Sequence, residues 1–209
     1  MEKFILELPN AVPTELCNEI IDKFKNDDRK ENAKVIINSN YVPDEIAKSM
    51  KSAMEMPIGT DTSGWEDVEE KITTYMFNAV DTYLNYLVNT FDFNQEIHPL
   101  CSSIPLDGVC MYGFTIQNIK EGGEYKWHVD VGEEEGVFCN VLIYLNTLED
   151  GQGGETEFVG GIRIRPECGK ILLFPSLWSF PHRSAKLLKG NKYTCSTCTF
   201  RIPKCFKNN

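Results

Sequence analysis

Residues 122–146 read GGEYKWHVDVGEEEGVFCNVLIYLN, and this stretch decides the fold class. Short runs of aromatic and β-branched residues are separated by glycine, which is how strands and their turns read. The texture continues outward on both sides. VCMYGFTIQNI precedes it from residue 109, and GETEFV, GIRIRP, GKILLFP and NKYTCSTCTFRI follow it. Turn signals punctuate them at GQGG (151–154), Gly160-Gly161, Pro175 and Gly190-Asn191. Many short strands with regular turns predict an all-β sandwich or barrel in this half.

Upstream the periodicity changes. Leu16, Ile20 and Phe24 recur every fourth residue behind Pro13 and Glu15. Val68, Ile72, Met76, Val80, Leu84, Leu87 and Phe91 make one apolar stripe, predicting a helix from about Trp65 to Phe91. Between them Val35–Ile37 reads as a strand, and the rest of that stretch as helix or loop. Helices in a run followed by strands in a run imply an α+β fold, the helices packed on one face of a β core. The expected organisation is a single domain over 1–209. Residues 1–104 form a mainly helical support, and residues 105–205 form the β core.

The chain has 209 residues with 21 Lys plus Arg against 31 Asp plus Glu, a net charge of −10. That sign argues against a protein that holds nucleic acid by its phosphates. No apolar run approaches the ~18 residues of a membrane span, and MEKFILELPNAVP lacks the apolar centre of an export signal. Eight cysteines are too few for a disulfide scaffold at this length, so reduced thiols and a cytoplasmic setting are expected.

Only three histidines occur: His98, His128 and His182. His128 stands two residues before Asp130 in WHVDV, and on a strand such residues project to the same face. His182 supplies a third donor from a different strand. Two imidazoles and one carboxylate with open positions suit a non-haem Fe(II) centre that must also admit co-substrates. His98 in EIHPL reads as a surface histidine.

GGEYKWHVD, LIYLNTLEDGQGGETEF, IRPECGKILLFP and HRSAKLLKGNKY occur in that order. Together they resemble the Fe(II)/2-oxoglutarate-dependent dioxygenases, and within them the prolyl 4-hydroxylase-like branch. The resemblance covers roughly Val109 to Phe200. It implies a double-stranded β-helix, or jelly-roll, core, with His128, Asp130 and His182 as metal ligands and catalytic centre. It also implies Fe(II), 2-oxoglutarate and O2, with ascorbate as reductant. Lys192, ten residues after His182, matches the residue that meets the far carboxylate of 2-oxoglutarate, and Tyr144 matches a phenol that donates to it. The implied reaction hydroxylates prolyl residues of a peptide or protein and releases succinate and CO2.

Two positions depart from the pattern. Many hydroxylases of this branch have a tyrosine nine residues before the first metal histidine, and here Ile119 stands there. Many have a tryptophan six residues after the lysine, and here it is Cys198. Tyr125 matches a tyrosine near the substrate. These departures keep a free amino acid or other small molecule open as substrate; nucleic-acid demethylation and a non-catalytic binding barrel rank lower. Oligomeric state is not legible. Strand parity sets Arg201 opposite Lys192, and Arg163 and Arg165 read as surface residues. Cys195 and Cys198 fall on opposite faces of one strand, which argues against a paired metal site. Glu133–Glu135 reads as a solvated loop near the barrel mouth.

Overall fold

A computed structural model describes residues 1–37, 40–59, 62–91, 109–130 and 136–201. In chain order the elements are β1 (Leu6–Leu8), α1 (Thr14–Asn26), β2 (Glu31–Asn32), β3 (Ile36–Ile37), β4 (Asn40–Tyr41), α2 (Asp44–Met50), β5 (Met54–Ile58) and α3 (Glu66–Phe91). The β half follows: β6 (Val109–Met111), β7 (Phe114–Lys120), β8 (Tyr125–His128), β9 (Val137–Tyr144), β10 (Thr156–Phe158), β11 (Arg163–Ile164), β12 (Ile171–Pro175), β13 (His182–Ser184) and β14 (Asn191–Arg201).

The strands form two main antiparallel sheets. The larger runs β1-β12-β9-β14-β7-β5-β2, with β6 also on β14, and the smaller runs β11-β10-β13-β8. Two such sheets face to face are the halves of a jelly roll, open rather than closed into a barrel. The α+β class and jelly-roll core expected from the sequence are therefore present.

Parity along the large sheet explains how one wall serves two purposes. Cys139, Val141 and Ile143 of β9, Ile171 and Leu173 of β12, and Cys195 of β14 join one apolar core with Leu16, Ile20 and Phe24 of α1 and Val68, Ile72, Met76 and Val80 of α3. The intervening residues Asn140, Leu142, Phe174, Lys192, Thr194, Ser196 and Cys198 line a cavity between the two sheets. The helices thus cover the back of the large sheet and leave its front to the site. α1 is anchored at its start by Val12, whose N–H donates to the carbonyl of Gly169 at 3.0 Å. Gly169 has φ +80°, and a Cβ there would run into the Val12 carbonyl.

β1, β2 and β4 are strands that the sequence reading did not expect, and two further differences bear on the site. β5, from the stretch read as helix or loop, pairs along β7 from Met54↔Asn118 to Ile58↔Phe114. Its burial does not alternate cleanly and it contains Pro57, so it carries little strand signal. The strand expected through WHVDV stops at His128, and Val129 and Asp130 lie beyond it. His98 and Glu133–Glu135 lie outside the described residues.

Candidate active site

β8 and β13 are adjacent and antiparallel, with His128 directly opposite His182. Their ring centroids are 4.2 Å apart. The chain after β8 turns so that Asp130 reaches both rings. One carboxylate oxygen lies 3.4 Å from His128 Nε2 and the other 3.2 Å from His182 Nε2. Convergence thus comes from the irregular backbone after His128, not from the strand parity expected for residues two apart. Donor atoms of His128, Asp130 and His182 all lie within 4.8 Å of one another, the one such group of three among the described residues.

Hydrogen bonds set the imidazoles up as ligands. His128 Nδ1 lies 2.7 Å from the Lys126 carbonyl, and His182 Nδ1 lies 3.2 Å from the Phe180 carbonyl. A carbonyl only accepts, so each Nδ1 carries the proton and each Nε2 presents its lone pair. Phe158 and Phe174 pack on the His182 ring at 5.7 and 4.7 Å, and Tyr125 stacks on His128 at 3.5 Å. This donor set, held from behind by aromatic packing, suits one divalent ion with its open positions toward the cavity.

That cavity, about 960 Å³, is lined by all three residues and by Lys192. Lys192 is 3% exposed, and its Nζ donates to Ser184 Oγ at 2.8 Å. It makes no ion pair among the described residues. Burial pulls the ammonium down to about 7, opposed by the charge of Glu155. A buried cation without a matched anion favours an anionic ligand, since pairing would offset its desolvation. Tyr144 lies at the same end, its ring 5.7 Å from Lys192 Nζ. Its hydroxyl donates to Thr156 Oγ1 at 2.7 Å, and burial pushes the phenol up.

Tyr125 lines the cavity beside His128, under Lys51 Nζ at 4.5 Å from its ring. Burial, then the negative charge of Asp130 and Glu55, push its phenol up. Ile119 and Cys198 also line the cavity, whereas Cys195 faces the helix side. Arg163 and Arg165 pair with Glu157 and with Asp150 and Glu167 at the surface. Lys51 and Glu55, an ion pair in the cavity wall, escaped the sequence reading because nothing local links α2 and β5 to the site. Asn140 escaped it too, although it shares parity with Tyr144.

Residues 114–199 match the 2OG-Fe(II) oxygenase superfamily. A search of curated proteins finds no match. Among solved structures the chain is similar to a prolyl hydroxylase from Trichoplax adhaerens in complex with a hypoxia-inducible-factor peptide fragment. The TM-score is 0.68 at 18% identity, covering 95% of this chain and 84% of that one. It is also similar to a viral collagen prolyl hydroxylase from Paramecium bursaria chlorella virus-1 in complex with 2-oxoglutarate (TM-score 0.63, 15% identity, 95% and 97% covered). A Pseudomonas putida prolyl-4-hydroxylase gives 0.63 at 12% identity, with 96% and 94% covered. At these identities the likeness is one of fold. The matched segment, residues 114–199, contains the triad and Lys192.

Proposed function

We propose that the protein is an Fe(II)- and 2-oxoglutarate-dependent dioxygenase that hydroxylates prolyl residues of a peptide or protein. The observation that carries the co-substrate half is Lys192, a buried cation in the same cavity as His128, Asp130 and His182. In this reading the three side chains hold Fe(II). Lys192, with Tyr144 and Thr156 beside it, holds the far carboxylate of 2-oxoglutarate. With both bound, O2 oxidises 2-oxoglutarate to succinate and CO2 and places one oxygen atom in a substrate C–H bond, ascorbate keeping the metal reduced.

The protein's own part is positioning. The backbone carbonyls of Lys126 and Phe180 fix the imidazole tautomers, and Phe158 and Phe174 keep water from the back of His182. The prolyl substrate is supported by the shared fold of prolyl hydroxylases. Ile119 and Cys198 in the cavity wall favour the second reading, a free amino acid or other small molecule. No helix among the described residues is long and apolar enough to cross a membrane.

The test incubates the protein with Fe(II), 2-oxoglutarate, ascorbate and a proline-rich peptide panel. The expected result is a +16 Da peptide product with stoichiometric succinate. Products from a small-molecule panel and none from peptides would move the assignment to the second reading.

A further inference from the structure

Beyond the triad, the large sheet presents inward side chains that neither the metal nor the 2-oxoglutarate role uses. Asn140 of β9 is 6% exposed and lines the cavity. Its cross-strand partner is Cys198 of β14, whose thiol donates to Asn140 Oδ1 at 3.0 Å. With Oδ1 engaged, the rotamer of the carboxamide is set. Asn140 Nδ2 is then buried with no hydrogen-bond partner among the described residues. An unpartnered buried donor costs about 1–3 kcal/mol, so this amide nitrogen is a group that a ligand acceptor would satisfy.

Position along the strands shows which ligand it faces. Ser184 receives Lys192, and His182 stands two residues along β13, about 7 Å away at strand rise. Asn140 is four residues from Tyr144 on the same face of β9, about 13–14 Å along the strand. A five-carbon diacid anchored at Lys192 spans only about 6–7 Å at ordinary bond lengths. Asn140 therefore lies beyond the reach of that diacid, in a part of the cavity left to another ligand. Charge narrows the ligand chemistry further. Apart from Lys192, assigned to the diacid, the cations lining the cavity among the described residues are already engaged, Lys51 by Glu55 and Arg183 by Glu157 at 2.6 Å. What remains is a neutral donor, suited to a neutral acceptor.

We infer that Asn140 is a specificity-determining residue whose amide nitrogen takes a carbonyl oxygen of the substrate, a backbone carbonyl next to the oxidised residue, with Cys198 holding the carboxamide in place. This rests on the peptide reading above and adds a named recognition contact to it.

The iron-loaded protein is assayed with 2-oxoglutarate and the proline-rich peptides, comparing parent, Asn140→Leu, Asn140→Asp and Cys198→Ala. Loss of one neutral hydrogen bond should raise the peptide KM about two- to tenfold in Asn140→Leu. Asn140→Asp, which sets an acceptor against an acceptor, should do worse, and Cys198→Ala should fall between parent and Asn140→Leu. Hydroxylated product per succinate should drop in step. Affinity for 2-oxoglutarate, read anaerobically from the metal charge-transfer band, should stay within about twofold and certifies folded sites. An unchanged peptide KM in Asn140→Leu, or a parallel loss of 2-oxoglutarate affinity, overturns the assignment. If the parent oxidises no peptide, the peptide reading fails by itself. The same variants are then compared on whichever small molecule stimulates succinate release, and an unchanged KM there overturns the role of Asn140 separately.

Discussion

Lys192 Nζ donates to Ser184 Oγ at 2.8 Å, which ties the buried cation to the strand that carries His182 two residues earlier. The large sheet supplies the charge and the small sheet supplies the two histidines, and this hydrogen bond, together with that from Tyr144 to Thr156, spans the gap between them. Displacing either sheet would disturb both ends of the cavity.

Replacing Lys192 should therefore separate co-substrate binding from metal binding. A charged hydrogen bond is worth about 1.5–3 kcal/mol, so Lys192→Ala should weaken 2-oxoglutarate binding about ten- to 150-fold. Lys192→Arg should also impair it, because a longer planar fork crowds the closed end. Fe(II) affinity without 2-oxoglutarate should be unchanged in both. Unchanged 2-oxoglutarate affinity in Lys192→Ala would make Arg201 the next residue to test.

The same lysine gives a pH dependence with a definite sign. Its ligand-free value is about 7 against an ordinary 10.5. Between these values the unfolded chain holds the proton and the fold does not, so stability from this group rises with pH; below 7 the burial cost is fully present. Lys192→Met should accordingly raise Tm at pH 6, the gap closing toward pH 10. A carboxylate ligand needs the charged form, so 2-oxoglutarate should bind with proton uptake above pH 7 and weaken as pH rises. Calorimetry in buffers of different ionisation heat measures that uptake.

His128→Ala, Asp130→Ala and His182→Ala should each abolish uptake of one Fe(II) or Mn(II) by the dialysed protein. A metal at about 100 times its Kd stabilises by about 2.7 kcal/mol. At 2–4 °C per kcal/mol for a chain of this size, the parent should gain roughly 5–10 °C in Tm and the variants none. Parent-like metal binding in all three would dismiss the triad.

Tyr144→Phe removes one neutral donor beside Lys192. The expected cost is about two- to tenfold in 2-oxoglutarate affinity, less than for Lys192→Ala. A larger loss than Lys192→Ala would reverse the assigned order of the two residues.

Gly169→Ala tests the fold rather than the site. A side chain at φ +80° is strained, and its Cβ would press on the Val12 carbonyl at the start of α1. The expected loss is about 1–3 kcal/mol, or roughly 3–10 °C in Tm. Thermal unfolding followed by circular dichroism measures it, and a parent-like Tm would show that this junction yields freely.

Legibility in the sequence followed the range of each interaction. Strands β9, β12 and β14 announce themselves because alternate residues serve core and cavity, and α3 because its apolar stripe faces one core. His128, Asp130 and His182 stood out by residue type and spacing, whereas Lys192 was marked only by the resemblance. The route by which Asp130 reaches the rings was not legible, since a turn beyond β8 leaves no periodic mark. Lys51 and Glu55 were illegible because α2 and β5 meet the site only through the pairing of β5 with β7. Asn140 was within reach, since it shares a face with Tyr144, but parity marks a position as inward without saying what it binds.

β14 runs from Asn191 to Arg201, in regular register with β9 from Thr194 to Cys198, with Lys192 near one end and Cys198 toward the other. It works as a ruler laid across the cavity, and that constrains how the protein can diverge. Point changes at 196 or 198 reshape the mouth while Lys192 stays seated, so new substrates are reachable one residue at a time. A single-residue insertion or deletion within the strand would turn one of its ends toward the helices. Lineages of this domain should therefore vary the outer half of β14 in composition and never in length.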